Sequence, residues 1–279
     1  MEAGTGVPTG RIRAPNRLRH RKSVHQLTAQ QLGWWRDGIR AMSRFSDDRG
    51  LSYWASLHGG PPRQWCHHGN FDGRGIFHGV PLFLPWHRAY LYFFELALQE
   101  QTRQARVPWW DWTSAEARRE GLPRAFAERE VDGQANPLFS QPILRGGGRR
   151  DRLPERTERD PGPPQGLPDP RRVARILERS NFLDFSGELE NVHGQIHGWV
   201  GGAMTSVPTA AFDPIFWSHH AMIDRLWRLW QLRNPENAAL WRYRNVALAP
   251  FEMTVGETLE VTLLGYDYAG STTSVDVRP

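Results

Sequence analysis

The chain has 279 residues, 39% of them hydrophobic, and a formal net charge of +5. That is long enough to bury a substantial core in one large domain or two small ones. A single cysteine, Cys66, excludes an intrachain disulfide and any four-cysteine zinc site. Much of the positive excess lies near the start, where Arg11, Arg13, Arg17, Arg19, Arg21 and Lys22 face one acid, Glu2. Without aromatic interleaving or a nucleic-acid-binding module this run reads as a solvated arm over residues 1–27, and no nucleic-acid partner is expected. No stretch approaches the ~20 apolar residues of a membrane span, so no membrane partner is expected. With no apolar leader after the first arginines, the expected location is the cytoplasm, or outside it only with an export partner.

Thr28 is placed to cap a first helix carrying Leu32, Trp35, Ile39 and Met42 on one face and stopping near Ser46 to Gly50. A second apolar segment begins at Leu51 and ends in His58-Gly59-Gly60-Pro61-Pro62, where glycine and proline cannot continue a helix. His58 therefore falls at a helix end. Residues 61–80 read as loop. Pro85 suits the first position of a third helix with the stripe Tyr90, Leu91, Phe94 and Leu98, which puts His87 in its first turn.

Arg145 to Arg172, rich in Arg, Asp, Pro and Gly, would by itself pass for a linker between domains. Beyond it, Ser186 can cap a fourth helix that carries His193 and His197 and ends at Gly201-Gly202. A fifth starts at Asp213-Pro214 and runs through Ile223, Leu226, Trp227 and Trp230 to Asn234-Pro235. Near the end, Met253, Val255, Leu259, Val261 and Leu263 alternate with polar residues and predict a β-hairpin. The fold expected is mainly α, a four-helix bundle holding a site in its middle, with long loops and that small hairpin.

The composition places 11 His and 13 Trp in this one chain, and they fall together. His193 and His197, four apart on a helix, share one face and can reach one metal ion. An isolated pair at this spacing is more often two surface histidines. This one is accompanied by His220 on a helix with an apolar face and by His78 and His87, which bracket the apolar stretch Gly79-Val-Pro-Leu-Phe-Leu-Pro-Trp86. With His58 these make an upstream and a downstream set of three. Imidazole suits zinc, copper, iron and nickel, so ligand type alone leaves zinc open as well as copper, while the scarcity of carboxylates argues against a di-iron bundle.

His78-Gly-Val-Pro-Leu-Phe-Leu-Pro-Trp-His87-Arg, Pro108-Trp-Trp-Asp-Trp112, His193-Gly-Gln-Ile-His197-Gly-Trp and Asp213-Pro-Ile-Phe-Trp-Ser-His-His220-Ala-Met-Ile-Asp224-Arg strongly resemble the tyrosinase and catechol oxidase family. Tyr266-Asp-Tyr268 is similar to the tyrosine motif that closes the catalytic domain there. The resemblance implies one type 3 dicopper domain over residues 28–279, with Arg145 to Arg172 as a surface loop rather than a boundary. It implies two copper ions, the first held by His58, His78 and His87 and the second by His193, His197 and His220, with O₂ as co-substrate and small phenols as substrates. His219 then lies just outside the ligand set. His67 and His68 follow Cys66, and His68 competes with His78; the nine-residue step to His87 favours His78. A thioether from Cys66 to His78, as in fungal and plant members, stands beside a free thiol.

The same resemblance makes Glu190 the glutamate that holds a water for deprotonating monophenols. Its usual asparagine partner is replaced by Gly194, and Gly198 follows the next ligand. Each mid-helix glycine costs roughly 1 kcal/mol relative to alanine. Helix packing explains the pair as well as an open floor above the copper does. The functional reading is strong oxidation of o-diphenols with weaker hydroxylation of monophenols. An o-aminophenol oxidase, a hemocyanin-like oxygen carrier and a structural protein are the alternatives, and a copper-delivery partner is compatible with all but the last. Asp213 and Asp224 are candidates for holding ligand imidazoles, although Asp213 before Pro214 reads at least as well as a helix cap.

Overall fold

A computed structural model describes residues 18–59, 65–66, 81–143, 154–235 and 238–270. Strand β1 (Arg19–Arg21) leads to helices α1 (Ala29–Met42), α2 (Leu51–Gly59) and α3 (Phe83–Gln101). Short helices α4 (Ala115–Glu120) and α5 (Arg124–Ala127) precede a small antiparallel pair, β2 (Glu130–Val131) and β3 (Gln134–Ala135). The second half holds α6 (Pro170–Leu177), α7 (Phe182–Val200), α8 (Val207–Ala210), α9 (Pro214–Arg233), α10 (Val255–Thr258) and β4 (Tyr266–Tyr268). The long helices α3, α7 and α9 pack on one another, with α1 against α3 and α2 against α8. No helix among the described residues is long and apolar enough to cross a membrane.

Thr28 caps α1 as expected, accepting from the Gln31 backbone N–H while the Gln31 side chain returns to the Thr28 N–H, a reciprocal capping box. Trp35, Ile39 and Met42 are wholly buried, but the helix stops at Met42, earlier than its polar sequel suggested. α3 opens at Phe83, so Pro85 is its third residue, a position whose N–H has no partner within the helix either. α7 begins at Phe182, capped by the Asn181 side chain accepting from Leu183 and Asp184 N–H groups. Ser186, read as the cap, is buried inside the helix.

The C-terminal hairpin is not formed. Thr254 and Glu257 close a capping box, with the Glu257 carboxylate accepting from Thr254 N at 2.7 Å and Oγ1 at 2.9 Å, and this winds Val255–Thr258 into a helical turn. Val255, Thr258 and Val261 are buried at helical steps, so the apparent alternation was a three-residue spacing seen over a short window. The strand at this end is β4, which pairs in parallel with β1, Arg19 opposite Tyr266 and Arg21 opposite Tyr268. The final basic residues of the supposed solvated arm are thus structural. Arg21 is wholly buried, donating to Glu95 at 3.0 Å and to the Tyr268 hydroxyl at 3.0 Å.

Asp224 on α9 ties the helices to this sheet. It accepts from Arg88 of α3, one residue after His87, and from the hydroxyls of Tyr266, at 2.7 Å, and Tyr268. Burial works to raise its carboxyl, but Arg88 and Arg21 outweigh that and hold it below the usual carboxylate range. Asp213 caps α9 by accepting from Ile215 N at 3.0 Å and also pairs with buried Arg159, whose Nε lies 2.8 Å from Oδ2. Arg159 further donates to the carbonyls of Phe126 and Leu138, so part of the supposed loop is locked to the bundle. Both acids act by positioning helices; their hydrogen bonds go to arginines, tyrosines and backbone rather than to imidazoles.

Candidate metal centre

Four helices bring the histidines together. His58 comes from the last turn of α2, His87 from the first turns of α3, His193 and His197 from the inner face of α7, and His220 from the middle of α9. Their burial follows from the apolar faces on which they sit: His58, His87, His193 and His220 are each 2% exposed or less. Potential ligand atoms of His193, His197, His219 and His220 all lie within 4.8 Å of one another, and so do those of His58, Cys66 and His87. The two groups abut, since the His87 and His220 rings stack at 4.4 Å and 15°. His78, His67 and His68 lie outside the described residues.

Three rings are oriented by backbone carbonyls. Nδ1 of His58 lies 3.1 Å from Val207 O, Nδ1 of His87 is 2.8 Å from Phe83 O, and Nδ1 of His197 is 2.7 Å from Met204 O. A carbonyl only accepts, so each Nδ1 carries the proton and each Nε2 keeps the lone pair that a metal requires. Nε2 of His197 is buried and makes no hydrogen bond, and Nε2 of His220 points to Nε2 of His193 at 3.2 Å. A buried lone pair without a donor is unfavourable unless a cation meets it. Burial lowers His197 to about 4 against the opposing bond to Met204. Burial and the neighbouring imidazoles, His87 and His193 foremost, push His220 well down. Neutral imidazoles with converging Nε2 atoms fit a soft-to-borderline metal pair such as copper.

His219, expected outside the ligands, shares their cluster. Its ring lies parallel to that of His193, 5.1 Å away at 11°, and 6.4 Å from Trp112, so it backs His193 from behind. The thiol of Cys66 is a residue that sequence reasoning left open. It sits 3.5 Å from His87 Nε2, and burial, with the charge of Glu190, pushes it up and keeps it protonated. Phe83 packs on both His87 and His193, each at 4.9 Å, and joins the two halves of the site. The carbonyls of Val207 and Met204 carry no sequence signal at all, because every residue has one.

A cavity of about 470 Å³ opens onto His58, His193 and His197, walled on one side by α7 and on the other by Met204 to Ala210. Glu190, Gly194 and Gly198 all line it, as their spacing on one helix face requires. A Cβ placed on Gly194 or Gly198 meets no heavy atom within 4 Å among the described residues, so packing against the described helices does not account for these glycines.

Comparison with known proteins agrees with this geometry. Residues 48–233 match the model of the common central domain of tyrosinase. A G-type hemocyanin of Enteroctopus dofleini is 32% identical over 230 residues, 76% of this chain but 8% of that protein. The beta-C chain unit G hemocyanin of Helix pomatia is 33% identical over 224 residues, covering 76% of this chain and 51% of the relative. The chain therefore spans about half or less of these relatives. Among solved structures, a functional unit of octopus hemocyanin superposes with a TM-score of 0.71 at 26% identity over 89% of this chain and 67% of its own. A tyrosinase from Burkholderia thailandensis shares the fold with a TM-score of 0.76 at 21% identity, covering 94% of this chain and 75% of that one.

Proposed function

Since the chain belongs to the tyrosinase family of type 3 dicopper proteins, we propose that it is a phenol oxidase, converting o-diphenols to o-quinones with O₂ and hydroxylating monophenols more slowly. In this reading His58, His78 and His87 hold one copper and His193, His197 and His220 the other. The bound copper pair supplies the two-electron redox chemistry with O₂ for which no side chain is suited. Two diphenols then give four electrons and four protons to one O₂, leaving two quinones and two waters.

The protein's own part is orientation and access. The carbonyls of Val207, Phe83 and Met204 hold three imidazoles in the ligating tautomer, so no ring has to reorganise. The apolar wall at Val207 and Ala210 receives the substrate ring, and Glu190 is placed to hold a proton taken from a phenol through water. The observation that carries the reading is the open cavity reaching His58, His193 and His197, with bare space above Gly194 and Gly198.

The hemocyanin relatives nonetheless favour a second reading, reversible O₂ binding without turnover. Copper content per chain, then oxygen uptake with a catechol, a monophenol and an o-aminophenol, separates the two. Steady uptake with quinone formation is expected. Two coppers per chain with reversible oxygen-dependent absorbance and no quinone would replace the oxidase by a carrier.

A further inference from the structure

Helix α2 carries more than a ligand. Trp54, four residues before His58 on it, shares the face of the imidazole, and Tyr53 stands next to Trp54. Tyr90 of α3 fills the space between Trp54 and His58: its ring lies nearly parallel to that of His58, 6.1 Å away at 13°, and its hydroxyl donates to the Trp54 carbonyl at 2.5 Å. A second row of rings runs beside this one, from Tyr90 to Trp217 at 4.7 Å, from Trp217 to Phe94 at 3.5 Å and from Phe94 to Trp54 at 6.4 Å. Both rows meet at Trp54, and the ring of Tyr53 lies 5.7 Å further on. Tyr90, Trp54, Trp217 and Phe94 are wholly buried, whereas Tyr53 is partly exposed.

We propose that these rings form an electron path from the surface at Tyr53 to His58, which discharges the metal centre when it is oxidised and no phenol is bound. The path needs only the copper pair, so an oxidase and a carrier would both possess it. Phenol and indole rings give up one electron readily, and tunnelling falls steeply with distance, so rings in near contact carry a charge that one long step does not. Its resting place follows from where a proton can go. Oxidised Trp54 stays a buried cation, since its Nε1–H donates to the Asp48 carbonyl at 2.8 Å and a carbonyl is no base; burial makes that charge unfavourable. The Tyr90 hydroxyl meets the same limit at the Trp54 carbonyl. Partly exposed Tyr53 releases its phenolic proton to water and becomes a neutral radical, so the oxidising equivalent settles there. With hydrogen peroxide as the oxidant, each molecule takes up two electrons and two protons and leaves two waters. Tyr53 supplies one electron and one proton at a time, and ascorbate at the surface restores it by giving a hydrogen atom.

The test treats the full copper-loaded chain with hydrogen peroxide and a radical trap, without phenol, and locates the trapped group by peptide mass spectrometry. An adduct on Tyr53 that requires copper and is suppressed by ascorbate is expected. Trp54→Phe, which keeps a ring but no indole, should lower it severalfold. Tyr53→Phe should abolish it and raise peroxide oxidation of the peptide that holds His58, because the equivalent no longer leaves. Should Trp54→Phe fail to fold, Tyr90→Phe removes the ring at which both rows begin and should lower the Tyr53 adduct in the same way. An equal adduct in the metal-free chain, or one undiminished by these substitutions, overturns the proposal. Oxygen uptake with a catechol is read separately. Its absence refutes the oxidase reading and leaves a copper-dependent Tyr53 adduct standing, whereas a wild-type chain without the adduct refutes the path whatever the catechol shows.

Discussion

The imidazole of His197 is held by Met204: its Nδ1–H donates to the Met204 carbonyl across 2.7 Å, and its Nε2 is left buried toward His193 and His220. A turn just beyond the helix therefore determines which nitrogen of a helical residue faces the centre. His58 is held in the same way by Val207, from the same short segment.

Burial lowers His197 to about 4 in the metal-free chain. Unfolded, the same side chain titrates near 6.5, so only the unfolded state gains this proton between the two values. Stability is complete above pH 6.5, falls as pH drops toward 4, and levels off below, with a loss of roughly 3 kcal/mol from this group. Urea unfolding of metal-free protein at pH 7.5, 6 and 5 should show the decline, and His197→Gln should make it shallower, with His220 supplying part of what remains.

Copper added to that protein should bind at two ions per chain and raise Tm, because it meets lone pairs that folding has buried. His220→Asn should lower the bound copper toward one. Atomic absorption after dialysis decides this, and an unaltered stoichiometry would remove His220 from the ligands.

Asp213 combines a helix cap with a buried ion pair to Arg159. Asp213→Ala deprives α9 of its cap and leaves a buried guanidinium without its counter-ion, so a loss of about 4 kcal/mol is expected. Asp213→Asn keeps the cap and should lose less. Denaturant midpoints of the two variants would show the order.

Asp224 is the meeting point of Arg88, Arg21, Tyr266 and Tyr268. Asp224→Asn should destabilise by about 3 to 5 kcal/mol and loosen the β1–β4 pair, whereas Tyr268→Phe removes two hydrogen bonds, one from Arg21 and one to Asp224, at about 2 kcal/mol. Amide exchange at residues 19–21 reports the loosening directly. Equal exchange in wild type and Asp224→Asn would show that the sheet does not depend on the carboxylate.

Gly194 leaves room for a side chain on the cavity wall beside Glu190. Gly194→Asn should raise the monophenol rate relative to the diphenol rate severalfold by adding an amide that shares a water with Glu190. Initial rates on tyrosine and its catechol, including the lag, would measure it. A ratio that does not move would remove Gly194 from the proposed control of hydroxylation.

Most of the helical frame could be read locally. Thr28 with Gln31, and Asp213 with Pro214, are short-range cap signals whose partners lie within three residues, and both helices start where they indicate. The misreadings have the same local character. Ser186 and Asn181 are both good caps, and the choice fell to Asn181 because Phe182 and Phe185 are buried and extend the apolar face backward. The hairpin was lost to a capping box three residues long, a signal as short as the alternation it competed with.

The sequence by itself determined the kinds of ligand and their grouping. His193 and His197 share a face because of the helical repeat, and His87 and His220 are drawn inward by the apolar residues around them. The tertiary structure decided what faces what. Val207 and Met204 offer carbonyls that any residue would offer, and His219 and Cys66 enter the cluster through packing of α7, α9 and the chain after α2. Burial of Arg21 is also a tertiary outcome, since its partners Glu95, Asp224 and Tyr268 lie 74 to 247 residues away. Local periodicity fixes a side chain's direction on its own helix, whereas the proton-bearing nitrogen, the counter-ion and the open cavity depend on surfaces brought together only by folding.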